Sequence, residues 1–206
     1  MRRQQILRVI AFVAIMTITT SVASANIVLS FQPSSPSVAQ GSQVTIDLNI
    51  AGLGLPPSLG TFDLNVGFDP TIFSFSTFTF GDPVLGDQLD PTGGGNTISL
   101  INPGVGTTEL FELSLDSSST LNSLQASSFT LGVLTFNTIG VGTSSLNLSI
   151  NALGDADGSS LSASLQNGSV NVTPSAVPEP STIYLLGGAL VAMGVLGRRF
   201  LLSSVR

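Results

Sequence analysis

An all-β sandwich of antiparallel strands is the fold class this sequence predicts, and three observations carry it. Apolar residues alternate with Ser, Thr, Asn and Asp over short runs, the period of a strand with one buried and one wet face. Gly, Pro and Asn-Gly turn signals punctuate those runs, roughly every ten residues. The 3.6-residue period of an amphipathic helix is almost absent between residues 26 and 173. Together they predict about nine strands in a single domain with one core.

Ahead of that domain, residues 1–25 have the three parts of a secretory signal peptide. Arg2, Arg3 and Arg8 supply the charge, Val9 to Ile18 a short apolar run, and Ala23-Ser24-Ala25 the small residues that a signal peptidase accepts. Cleavage is expected after Ala25.

The strands then follow in order. In Val44-Thr45-Ile46-Asp47-Leu48-Asn49-Ile50 the even positions are apolar, and Phe62, Leu64, Val66 and Phe68 alternate with Asp63, Asn65 and Gly67. Phe73 and Phe75 differ in parity from Phe78 and Phe80, which predicts a bulge or turn near Ser76-Thr77. Leu146, Leu148 and Ile150 alternate with Asn147 and Ser149. Asn167-Gly168, between the runs Leu161-Ala163-Leu165 and Val170-Val172, predicts a hairpin. No Cys is present, so no disulfide supports the fold.

The C-terminal segment predicts a membrane anchor. A linker, 174–182, contains Pro178-Glu179-Pro180, and residues 183–206 form an apolar segment with a basic tail. Ser181 to Gly197 gives 17 uncharged residues, roughly 25 Å as a helix, against a hydrocarbon core of about 30 Å. Arg198 and Arg199 adjoin it and set its orientation. All 6 basic residues lie at or before Arg8 or at or after Arg198, whereas all 12 acidic ones lie between. Basic flanks stay cytoplasmic, so the middle of the chain is the part expected to cross the inner membrane.

Pro-Glu-Pro, a Gly-rich apolar helix and an arginine pair resemble the PEP-CTERM sorting signal of certain Gram-negative bacteria. The resemblance implies that an exosortase, a membrane cysteine protease, recognises Pro178-Glu179-Pro180 and removes the anchor. The protein would then reach the cell surface or the extracellular, biofilm matrix.

The sandwich itself resembles a cohesin domain. The residues that carry this are Gly41-Ser42-Gln43-Val44-Thr45-Ile46-Asp47-Leu48, Gly60 to Pro70, Phe129 to Phe136, Val141 to Leu146 and Asn167 to Val172. The resemblance implies a jelly-roll sandwich, related in fold to some carbohydrate-binding modules, that binds a protein partner or a glycan. No dockerin-like repeat occurs in the chain, so a partner of that kind would be another protein.

Composition excludes much chemistry. Without Cys, His or Lys, the usual nucleophile–base pairs are missing, and an enzyme is not expected. Glu109 with Glu112, and Asp82, Asp87 and Asp90, are the candidate carboxylate sets for a glycosidase. Asp155 and Asp157, alternating before Gly158, are candidate Ca²⁺ ligands. Asp82, Asp87 and Asp90 are the candidate partner surface. No side-chain cation exists in this domain, so a partly buried acidic cluster needs backbone N–H groups or a bound ion. An acidic exported domain repels nucleic acid. Its lack of Trp, with the single Tyr184 in the anchor, leaves only Phe to build a sugar platform for neutral exopolysaccharide. The three Asn-x-Ser/Thr sequons, at Asn147, Asn167 and Asn171, reflect composition if the chain is bacterial.

Overall fold

The run from Val44 to Ile50 forms a strand with Val44, Ile46, Leu48 and Ile50 buried and the residues between them at least partly exposed. The same period-2 rule shapes most of the domain. The computed structural model describes residues 26–54, 56–175 and 184–194. In chain order the elements are β1 (Ile27–Gln32), β2 (Ser37–Ala39), β3 (Gln43–Ala51), β4 (Leu59–Gly67), β5 (Phe73–Phe80), β6 (Thr97–Gly104) and β7 (Thr107–Ser114). Then come α1 (Ser118–Leu124), β8 (Ser128–Thr138), β9 (Gly142–Asp155), β10 (Ala163–Gln166) and β11 (Gly168–Thr173).

Two sheets result, a five-stranded one ordered β10-β1-β3-β8-β5 and a six-stranded one ordered β2-β11-β9-β4-β7-β6. Pairing is antiparallel except for the short outer strands, β10 on β1 and β2 on β11, which run parallel. The inner faces meet in one apolar core. Leu29, Ile46 and Leu48 come from one sheet, Phe62, Leu64 and Leu110 from the other. Phe136 sits among three rings, stacked on Phe73 at 5.3 Å and edge-on to Phe68 at 5.1 Å. Phe75 is also edge-on to it, at 6.0 Å. Such offset and edge geometries suit the ring quadrupole.

The expected irregularity in the phenylalanine-rich strand is present, since the β5–β8 register shifts between Phe75 and Thr77. The Asn167-Gly168 hairpin is not formed. β10 pairs with β1, and β11 pairs with β9 and β2, so the chain changes sheets at this dipeptide. The reason is local. Asn167 turns its side chain away to accept the Leu148 N–H at 2.9 Å. A Cβ at Gly168 would stand 3.0 Å from the Ser34 carbonyl oxygen, so glycine serves close approach there.

A short helix, α1, was not foreshadowed by any apolar period. Ser117 caps it by accepting the Thr120 N–H at 3.2 Å, and Leu121 is its one buried residue. Residues 184–194 are helical, and among the described residues no helix is long and apolar enough to cross a membrane. The signal-peptide residues Ala23 and Ala25 and the sorting residues Pro178, Glu179, Pro180, Arg198 and Arg199 lie outside the described residues.

Candidate protein-docking face

Strand register decides which side chains share a surface. On the outer side of the six-stranded sheet, Leu100 pairs with Phe111, and Phe111 with Asp63. The row above joins Ile98, Leu113 and Thr61, and the row below joins Asn102, Glu109, Asn65 and Ser149. Ile98 and Leu100 are 51% and 56% exposed, on the edge strand β6, with Phe111 and Leu113 half-buried beside them. The face is therefore apolar toward β6 and β7 and polar toward β4 and β9.

The polar part is held in place by its own bonds. Asn102 Nδ2 donates to Glu109 Oε2 at 3.1 Å, and Asn65 Nδ2 to Asn151 Oδ1 at 3.0 Å. Asn151 Nδ2 in turn donates to Asp63 Oδ1 at 2.9 Å. These contacts fix the amides and leave both carboxylates on a surface with no cation of its own. Apolar contact area beside ordered polar groups is the make-up of a protein-recognition patch.

The acidic loop between β5 and β6 is a different environment. Asp82 accepts the N–H groups of Val84, Leu85 and Thr130 at 2.8–2.9 Å. Asp90 accepts those of Gly94 and Gly95, and the Thr92 hydroxyl. Burial works to raise both acids, and these donors outweigh it and hold them below the ordinary range. Asp87 accepts the Leu89 N–H at 2.9 Å. Glu112 points inward from β7, is 1% exposed, and its Oε2 has no hydrogen-bond partner. Burial, then Asp87 and Asp90 nearby, push Glu112 up to about 8. So all three predicted surface acids, Asp82, Asp87 and Asp90, accept backbone N–H groups.

Solved structures with the same architecture include the sixth cohesin of scaffoldin B from Acetivibrio cellulolyticus, in complex with a Cel5 dockerin. It is 22% identical, with a TM-score of 0.56, over 72% of this chain and 99% of that one. The Clostridium acetobutylicum cohesin CaCohA2 is 19% identical, with a TM-score of 0.56, over 74% and 94%. A non-cellulosomal cohesin from Archaeoglobus fulgidus is 15% identical, with a TM-score of 0.53, over 78% and 97%. The domain has the cohesin fold. No protein-family model matches the chain, and no curated protein does either.

Within this cohesin-like domain, Glu109 and Glu112 stand on opposite faces of β7, three positions apart, and cannot flank one glycosidic bond. At the β9 exit, Asp155 Oδ1 accepts the N–H groups of Asp157 and Ser159 at 3.0 and 2.7 Å. That is a turn built on one carboxylate. Among the described residues no group of three or more His, Cys, Asp or Glu side chains is placed to hold a metal ion. The candidate face escaped sequence reasoning because it sums alternate positions of four strands, of which only β6 and β7 are consecutive in the chain. The half-exposed Phe111 inside an alternating strand was the available signal.

Proposed function

We propose that the chain is an exported, non-catalytic envelope or matrix protein whose cohesin-like domain docks a partner protein on the outer face of β6, β7, β4 and β9. The observation that carries this reading is the row Leu100–Phe111–Asp63, an apolar strip that passes directly into an acidic and amide surface. A partner suited to it presents apolar side chains next to Lys or Arg, because the domain supplies no positive charge of its own. Cohesin structures of similar fold, solved in complex with dockerins, support binding of a protein in preference to small-molecule chemistry.

Delivery belongs to the same proposal. Signal peptidase removes residues 1–25, and an exosortase recognises Pro178-Glu179-Pro180 while Arg198 and Arg199 remain on the cytoplasmic side. One observation favours a glycan as a second reading: Phe111 lies among Asn65, Asn102 and Asn151, groups that hydrogen-bond sugar hydroxyls. The two readings separate in one experiment. Envelope and medium fractions of the host are passed over the immobilised full chain, over Leu100→Asp and over Phe111→Asp, with affinity electrophoresis in neutral exopolysaccharide alongside. Retention of one polypeptide by the unaltered chain and by neither variant supports docking. Retardation by polysaccharide that both variants abolish, with no such polypeptide, establishes the glycan instead.

A further inference from the structure

One edge of the sandwich stands open in a way that the other three do not. Of the strands that end the two sheets, β10 has 4 residues and β2 has 3, and β5 carries the register shift between Phe75 and Thr77. Short strands and bulges are the usual protections of a sheet edge. β6 has neither. It runs for 8 residues, pairs with β7 without a register shift, and carries no charge in Thr97–Gly104. Its Ile98 and Leu100 side chains are exposed.

The ladder with β7 fixes which backbone groups of β6 face outward. The Leu115 N–H donates to the Asn96 carbonyl at 2.7 Å, so these opposed residues form a hydrogen-bonded pair. Bonded and non-bonded pairs alternate along antiparallel strands. Ile98, Leu100 and Asn102 therefore turn their backbone groups toward β7, and Thr97, Ser99, Ile101 and Pro103 turn theirs to the open side. Pro103 has no N–H, which suits that outward phase and ends the run of donors. The residues that remain, Thr97, Ser99 and Ile101, are spaced symmetrically about Ser99.

We propose that β6 pairs antiparallel with β6 of a second copy of this chain, about a two-fold axis at Ser99. Ser99 then exchanges both backbone bonds with its own counterpart, and Thr97 with Ile101 of the second copy, giving about six bonds across the symmetric contact. The same register sets Ile98 opposite Leu100 of the second copy, so each exposed apolar side chain covers the other. An axis at Leu100 would set the Pro103 ring against the Thr97 carbonyl, where a donor is needed. A slip of a single residue would oppose outer side chains to inner ones. The domain is acidic and supplies no cation, so a surface that receives its own copy must be free of charge. Thr97 to Ile101 carries none, and Glu112, opposite Ser99 on β7, is buried inside the sandwich. The pairing lies in the plane of the sheet and leaves its outer face open, so it stands whether or not that face docks another protein.

The test is sedimentation equilibrium of the purified full chain in detergent micelles, with no host fraction present. The chain is expected to reach twice its monomer mass as concentration rises. Ser99→Pro removes an outward N–H and no bond to β7, so it should keep its strand content and stay monomeric. Ser99→Cys is the second variant and decides the matter should the first unfold. The axis places the two α-carbons about 5.5 Å apart, within disulfide reach. It should therefore oxidise to a dimer far faster than Thr79→Cys, exposed on the edge strand β5. A monomer at every concentration overturns the proposal. So does association that Ser99→Pro leaves intact, or equal oxidation from positions 79 and 99. A self-pair has twice the mass of the chain, which sets it apart from capture of a host polypeptide on the outer face.

Discussion

Gln125 and Leu59 bond to each other twice: the Leu59 N–H donates to Gln125 Oε1 at 2.6 Å, and Gln125 Nε2 returns to the Leu59 carbonyl at 2.9 Å. The side-chain amide copies a neighbouring strand and satisfies the backbone where β4 begins, 3% exposed. The same Nε2 reaches Gln88, so one residue ties the helix end, β4 and the β5–β6 loop together. Gln125→Ala leaves these buried groups unpaired and should cost about 1–3 kcal/mol by urea unfolding. Gln43→Ala, whose bond to Asn137 is exposed, should cost under about 0.5 kcal/mol.

Gly132 and Gly41 should separate two reasons for glycine. A Cβ at Gly132 would lie 2.3 Å from Phe78 Cζ and 2.5 Å from the Thr79 carbonyl oxygen, on β8 between β3 and the edge strand β5. Backbone cannot yield there, so Gly132→Ala should cost about 3 kcal/mol, and trimming Phe78 should not rescue it. At Gly41, with φ of 84° and open space around it, Ala should cost only about 1 kcal/mol. Paired urea titrations measure both.

Stability should fall on both sides of an acid optimum. Asp82 and Asp90 have lowered values in the fold, so their contribution is present above the unfolded 3.8 and is lost as pH falls through the folded values. Glu112 has a raised value, so the folded state keeps a proton that the unfolded chain releases. Stability therefore declines as pH rises from 4.5 to about 8 and is flat beyond. The optimum lies at about pH 4–5. Asp82→Asn should flatten the acid limb alone, read from urea midpoints between pH 2 and 9.5.

The processed protein should start at Asn26 and end near Pro178 to Pro180, read as intact mass in medium or envelope fractions of the host. Retention of the chain through Arg206 in the inner membrane would show a tethered protein and no exosortase cleavage.

Much of the sandwich was legible because alternation is local: Val44 to Ile50 and Phe62 to Phe68 declare their buried faces without reference to any partner. β6 was not, since nearly all of Thr97–Gly104 is exposed on both sides and shows no period. Asn167-Gly168 read as a hairpin because a turn signal states that the chain reverses, not which sheet receives it. The candidate site was still less visible. The docking row exists only once β6, β7 and β4 are in register. The dilemma of an acidic domain without cations was visible, and the structure answers it with backbone donors at Asp82 and Asp90 and, at Glu112, with burial that raises the acid to about 8.

The docking face is tested most directly by site-specific cross-linking, which the absence of Cys makes clean. Leu100→Cys on the face and Ser145→Cys, exposed on β9 beyond it, each carry one photoreactive label and are exposed to the host envelope fraction. Docking on β6–β7–β4–β9 predicts one cross-linked polypeptide from position 100, competed by unlabelled chain and absent from position 145. Equal cross-linking from both positions, or none from position 100 while 145 captures a partner, would contradict it.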